Sequence, residues 1–133
     1  MSKLVTIGEA ADITGLSAKM IRHYEVNGLV PKAVRSEAQY RLYNSQQLKL
    51  LGVIKQAKRL GFSLSQIRAL SNLWQNPNRA SSEVKSLAEE HLQEIDAKIS
   101  ELKQMKKSLQ EMADNCNDDE HSHCSILDGL DHV

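Results

Sequence analysis

Thr6–Pro31 reads TIGEAADITGLSAKMIRHYEVNGLVP, two short amphipathic segments on either side of a glycine. Thr6 followed three residues later by Glu9 has the form of a capping box, so a helix is expected from there to about Thr14. Ile7, Ala10, Ala11 and Ile13 supply its apolar positions. Ser17 is placed to cap a second helix running to about Asn27, which Gly28 would stop. Ala11, Gly15 and Ile21 fall where a helix-turn-helix needs them. A small residue lets the helices approach, glycine takes the turn, and a β-branched residue packs between them. Alone the spacing is weak, because amphipathic helix pairs produce it by chance. The second helix would present Ser17, Lys19, Arg22 and His23 outward. In the major groove such a helix reads base edges and grips phosphates. Arginine can pair bidentately with guanine, whereas lysine acts more as a point charge on phosphate.

Downstream, Pro31–Tyr43 changes character: after a breaker, QYRLY (39–43) alternates, which predicts a short hairpin or wing bearing Arg35, Tyr40, Arg41 and Tyr43. Asn44 with Gln47, and Ser63 with Gln66, repeat the capping form. They predict helices ending near Gly61 and Gln75, before the break at Asn76-Pro77-Asn78. A long helix is then expected from Ser81 or Ser82 to about Ala113. Its seam is Ala88, Leu92, Ile95, Ile99, Leu102, Lys106, Leu109 and Ala113, with steps alternating between four and three and only Lys106 out of character. A stripe of that length needs burial against a second copy, parallel or antiparallel; the alternative is a helix folded back on its own domain. The tail from Ser125 to Val133 carries Ile126, Leu127 and Leu130, enough for one or two amphipathic turns.

With 133 residues, 41% hydrophobic and 4% aromatic, the chain suits one domain, or one small domain with an appendage, rather than an enzyme with a large pocket. No acid–base pair or nucleophile arrangement stands in a pocket-forming context, so an enzyme is not expected. The net charge of zero conceals an asymmetry. Residues 1–79 hold 12 Lys and Arg against 4 Asp and Glu, while residues 80–133 hold 5 against 13. A basic first half suggests a polyanionic partner, against the plainer reading of solvated helix faces. The opening MSKLVTIGEAAD has no apolar run of the secretory kind, and no stretch approaches the roughly 20 apolar residues of a membrane span. A cytoplasmic protein without membrane contact is expected. There thiols stay reduced, so Cys116 and Cys124 in CNDDEHSHC (116–124) suggest metal binding or redox sensing rather than a structural disulfide.

Four stretches in order, IRHYE (21–25), GLVP (28–31), YRLY (40–43) and GFSL (61–64), resemble the signatures of MerR-type transcription regulators. The resemblance covers nearly the whole chain. It implies a mainly α fold: a winged helix-turn-helix DNA-binding domain with connecting helices (1–75), a long antiparallel coiled-coil dimerisation helix (80–113), and a metal-binding loop with the C-terminal tail (114–133). Leu92, Ile95, Ile99, Leu102 and Leu109 would form the homodimer interface. Lys19, Arg22 and Tyr24 match the recognition helix, and Arg35, Tyr40, Arg41 and Tyr43 the wing; Tyr24 beside Ile21 has a competing reading as core. Ala38-Gln39 departs from the Asn-Gly that many members carry at the wing tip. The implied mechanism is a dimer on a pseudo-palindromic promoter whose elements are set too far apart. Effector binding distorts the double-stranded DNA so that RNA polymerase engages both elements.

In metal-sensing members the effector site follows the dimer helix, and the Cys116–Cys124 spacing matches the copper-responsive type. Thiolates favour soft ions, and two alone suit linear Cu(I), Ag(I) or Au(I). Zinc takes about four ligands. Cys116, His121, His123 and Cys124 could nominally supply them, but His123 and Cys124 are adjacent and their side chains diverge. Divalent-metal members carry a cysteine at the start of the long helix; Ser81 stands at the matching place, a poor soft ligand. A helix N-terminus and Lys85 would offset the charge left by two thiolates on Cu(I). Ser81 and Ser82 also suit plain N-capping. The expectation is a Cu(I)-responsive activator of copper-efflux and detoxification genes. The alternatives are a zinc or other divalent-metal sensor of the same family, or a thiol-redox regulator switched by a Cys116–Cys124 disulfide.

Overall fold

The computed structural model describes residues 3–116 and 125–131. They form β1 (Val5–Thr6), α1 (Ile7–Thr14), α2 (Ala18–Val26), β2 (Val34–Arg35), β3 (Arg41–Tyr43), α3 (Ser45–Arg59), α4 (Leu64–Gln75), α5 (Ser81–Asp114) and α6 (Ser125–Leu130). The chain divides into two compact units, residues 1–88 and 89–133, and α5 begins in the first and ends in the second.

Helix starts in the first unit are fixed by local chemistry. Capping boxes close at all three expected sites. Thr6 and Glu9, Asn44 and Gln47, and Ser63 and Gln66 each exchange a side-chain and a backbone hydrogen bond. Donation from the Thr6 backbone N–H and then from its hydroxyl holds the Glu9 carboxyl below its ordinary value. Ser17 caps α2 by accepting from the Met20 N–H at 3.1 Å. Gly15 ends α1 in the left-handed region at φ 75°.

Helix ends depend instead on distant donors. Lys55 Nζ of α3 reaches the carbonyl of Thr14 at 3.0 Å and so sits at the negative end of α1. Gly15 is tied to that contact, because an added Cβ would lie 2.5 Å from Lys55 Nζ. At the end of α2, Gly28 is left-handed at φ 73° and the Leu29 N–H bonds back to the Tyr24 carbonyl at 2.9 Å, a Schellman-type stop. Arg68 Nη1 of α4 donates to the Asn27 carbonyl at 2.8 Å, and the buried Ser71 hydroxyl donates to that of Leu29. Gln47 Nε2 of α3 donates to the Pro31 carbonyl at 3.1 Å.

The wing is larger than the expected hairpin. β3 is central in an antiparallel sheet of order β1-β3-β2, with Val5 opposite Tyr43 and Val34 opposite Leu42. Its tip is a turn over Ser36–Gln39, with the Gln39 N–H bonded to the Ser36 carbonyl at 2.8 Å and Gln39 at φ 66°. A turn followed by one left-handed residue is a recognised hairpin closure. Ala38-Gln39 therefore closes the turn with a side chain where glycine is usual. The core beneath comprises Ile21 and Tyr24 of α2, Leu29, Tyr43, Leu50, Leu51 and Ile54 of α3, and Ile67 of α4. Ala10 is the fully buried small residue of α1, while Ala11 packs at the core edge.

In the second unit, Leu92, Ile99, Leu102 and Leu109 of the expected seam are exposed on the single chain, as is Met105. Ile95 is half-buried. A Cβ on Gly129 of α6 would meet Met112 Sδ at 3.0 Å, so glycine lets the thioether of α5 pack against α6. Among the described residues no helix is long and apolar enough to cross a membrane.

Candidate nucleic-acid interface and metal loop

α2 separates its functions by face. Ile21, Tyr24 and Glu25 point inward, and Lys19, Arg22 and His23 are exposed beyond the capping Ser17. Asn27 Nδ2 donates to the His23 carbonyl at 2.7 Å, closing the last turn. In the wing Arg35 and Tyr40 are exposed, and Arg35 Nη1 donates to the Gln39 carbonyl at 2.9 Å, stiffening the tip. These cations and the helix start form one class of residues: accessible, donor-rich and positive.

Two tyrosines expected at this surface lie elsewhere. Tyr43 is fully buried and Tyr24 nearly so, at 2% exposure. Both side chains pack in the core of the free chain, where the expectation had Tyr43 on the wing surface, and Tyr24 takes the core place of its two readings. The alternation in QYRLY misled because β3 is a central strand, with Tyr43 facing α2. The Tyr43 hydroxyl donates to Glu25 Oε2 at 2.7 Å, and Glu25 Oε1 faces Arg41 Nε at 3.6 Å. Burial, and then the Glu25 carboxylate, push the Tyr43 phenol well above its ordinary value. Glu25 thus holds strand β3 to α2. Its signal in the sequence was an acid on a helix otherwise basic on its exposed face. Among the described residues the buried Tyr24 hydroxyl has no hydrogen-bond partner.

Of the metal-loop candidates, Ser81 opens α5 and Lys85 lies one turn on, both in the first unit. Cys116 lies in the second, half-buried just past the end of α5, with its backbone N–H bonded to the Ala113 carbonyl at 3.1 Å. Cys124, His121 and His123 lie outside the described residues. Among the described residues no group of three or more His, Cys, Asp or Glu is gathered as a metal would require. Cys116 fits a soft ion as one sulfur donor at a helix end.

Comparison with known proteins covers both halves of the chain. A family model described as "MerR HTH family regulatory protein" matches residues 5–73, and one described as "MerR, DNA binding" matches residues 48–112. The chain is 40% identical over 126 residues to heavy metal-dependent transcription regulator 2 of Rhizobium meliloti, covering 95% of this chain and 86% of that protein. It is 40% identical over 126 residues to the HTH-type transcriptional regulator CueR of Salmonella typhi, covering 95% and 91%. Among solved structures it resembles the transcription regulator PbrR691 of Ralstonia metallidurans CH34 in complex with lead(II). The TM-score is 0.83 at 30% identity, over 95% of this chain and 98% of that one.

Proposed function

This chain belongs to the MerR family of HTH transcription regulators, and on that premise we propose that it is a homodimeric activator that answers Cu(I), with Ag(I) or Au(I) as surrogates. As a member it is a regulator and not an enzyme. Its partners are double-stranded promoter DNA and RNA polymerase, in the cytoplasm, and its targets are copper-efflux and detoxification genes. Ser17, Lys19 and Arg22 of α2 meet the major groove and its phosphates, and Arg35, Tyr40 and Arg41 of the wing hold the flanking backbone. Leu92, Ile95, Ile99, Leu102 and Leu109 form the seam between two copies.

The observation that carries the choice of ion is the donor set. Two cysteines flank the loop after α5, and a serine stands at residue 81 where divalent sensors place a third thiolate. Cys116 and Cys124 would hold the ion, which supplies two sulfur bonds joining the ends of the loop. Ser81 and Lys85, with the N–H groups opening α5, would offset the remaining negative charge from a second copy. The test is promoter-reporter induction across a panel of metals, repeated with Cys116→Ser and Cys124→Ser. Both variants should keep promoter binding and lose induction; full induction in both would discard these ligands. The lead(II) complex of the structural relative favours a second reading, a divalent ion. X-ray absorption separates the two, since two sulfur neighbours indicate a monovalent ion and a larger mixed set a divalent one.

A further inference from the structure

α4 lines one cleft with the start of the long helix and hydrogen-bonds the chain leaving the recognition helix. On one side, Leu70 of α4 and Phe62 just before it line an apolar cleft with Val84 and Ala88 of the first two turns of α5, and Gly52, Val53 and Ala57 of α3 complete its wall. On the other, Arg68 and Ser71 hold the carbonyls of Asn27 and Leu29. Apolar packing such as that of Ile67 in the common core is non-directional and permits small sliding. Hydrogen bonds to fixed carbonyls are directional and do not. These two side chains therefore tie the exit of α2 to α4. Ser71 also accepts from Gln75 Nε2 at 3.0 Å, so its hydroxyl is oriented from within α4. The Leu29 carbonyl belongs to the residue whose N–H completes the Schellman stop of α2, so a pull there acts on the helix end itself.

We infer that Arg68 and Ser71 are positioning residues that carry a displacement of the α5 start into the recognition helix, so that promoter distortion, but not promoter binding, depends on them. The inference rests on the proposed function, in which an effector changes the shape of bound DNA. Neither residue is assigned a DNA or metal contact. Arg68 is exposed, so Arg68→Ala should fold, and Arg68→Lys keeps a cation within reach of the Asn27 carbonyl.

The test uses the full chain, a promoter duplex recovered by binding selection from genomic DNA, and a 2-aminopurine base at the spacer centre that reports unstacking. Cu(I), Zn(II), Pb(II) and Hg(II) are the ions. Arg68→Ala and Ser71→Ala should bind the duplex within about threefold of the native protein, yet lose at least about tenfold in ion-induced 2-aminopurine signal and in transcript yield. Arg68→Lys should recover most of both. Native-like signals in Arg68→Ala would overturn the inference, as would loss of binding in proportion to loss of signal, which marks a merely structural role. A native protein that answers none of the ions would overturn the functional reading and this coupling together. A responsive native protein with equally responsive variants overturns the coupling alone.

Discussion

The hydroxyl of Tyr43 donates to Glu25 Oε2 at 2.7 Å, bonding the central wing strand to the recognition helix inside the core. The phenol is held above its ordinary value, so its contribution to stability is complete below the unfolded-state pKa of about 10 and is lost as pH rises from there through the folded value. The thermal midpoint should fall steeply above about pH 10, and Tyr43→Phe should flatten that fall while lowering the midpoint at neutral pH. A pH series of melts followed by circular dichroism checks it; equal alkaline slopes in both proteins would rule out Tyr43 as the source.

Tyr24 offers the opposite case. Its buried hydroxyl has no hydrogen-bond partner among the described residues, and an unsatisfied buried donor costs about 1–3 kcal/mol. Tyr24→Phe should leave stability unchanged or raise it by about 1 kcal/mol, with promoter affinity intact. Chemical denaturation and anisotropy titration measure the two; a large loss of affinity would return Tyr24 to the DNA surface.

Gly15 holds both a left-handed backbone and the space for Lys55. Gly15→Ala should cost at least about 1–2 kcal/mol from the backbone alone, and more because Lys55 is driven off the Thr14 carbonyl. Lys55→Met should cost less, since it leaves the turn itself unstrained. If the two losses are equal in denaturant melts, the glycine matters only through the lysine.

The exposed cations of α2 and the wing make a separable prediction. Lys19→Ala and Arg35→Ala should weaken binding to specific and unrelated duplexes alike. Each should reduce the slope of log K against log salt by about 0.9 for every phosphate that is no longer neutralised. Arg22→Ala should instead narrow the gap between specific and unrelated DNA. An unchanged salt slope in the first two would remove them from the phosphate interface.

The seam of α5 is testable by charge. Leu102 is exposed on the single chain and central in the heptad run. Leu102→Glu should raise the dimer dissociation constant at least about 30-fold, as expected for a buried hot-spot position. Sedimentation equilibrium reads this directly, and a native-like constant would place the interface elsewhere.

What the sequence made legible follows the range of the interactions. All three capping boxes and the ends of α5 could be read, because a cap and its partner lie three residues apart and a heptad repeats within two turns. β1 was missed because Val5–Thr6 is too short to show alternation. Tyr43 was misplaced because alternation tells which residues share a face but not which face is covered. Lys55, Arg68 and Ser71 could not be found at all, since their carbonyl partners lie 41, 41 and 42 residues back and no local pattern records them. On the effector side, Cys116 is placed just past the end of α5, whereas Cys124 lies outside the described residues.

The carbonyls leaving α1 and α2, at Thr14, Asn27, Leu29 and Pro31, all find their donors on α3 or α4. The DNA reader is therefore not a detachable part. A fragment ending at the wing would carry four chain exits whose partners were left behind. A chimera that borrows this reader must take both connecting helices with it, so the smallest portable module runs at least to Gln75, well past the last residue proposed to face DNA.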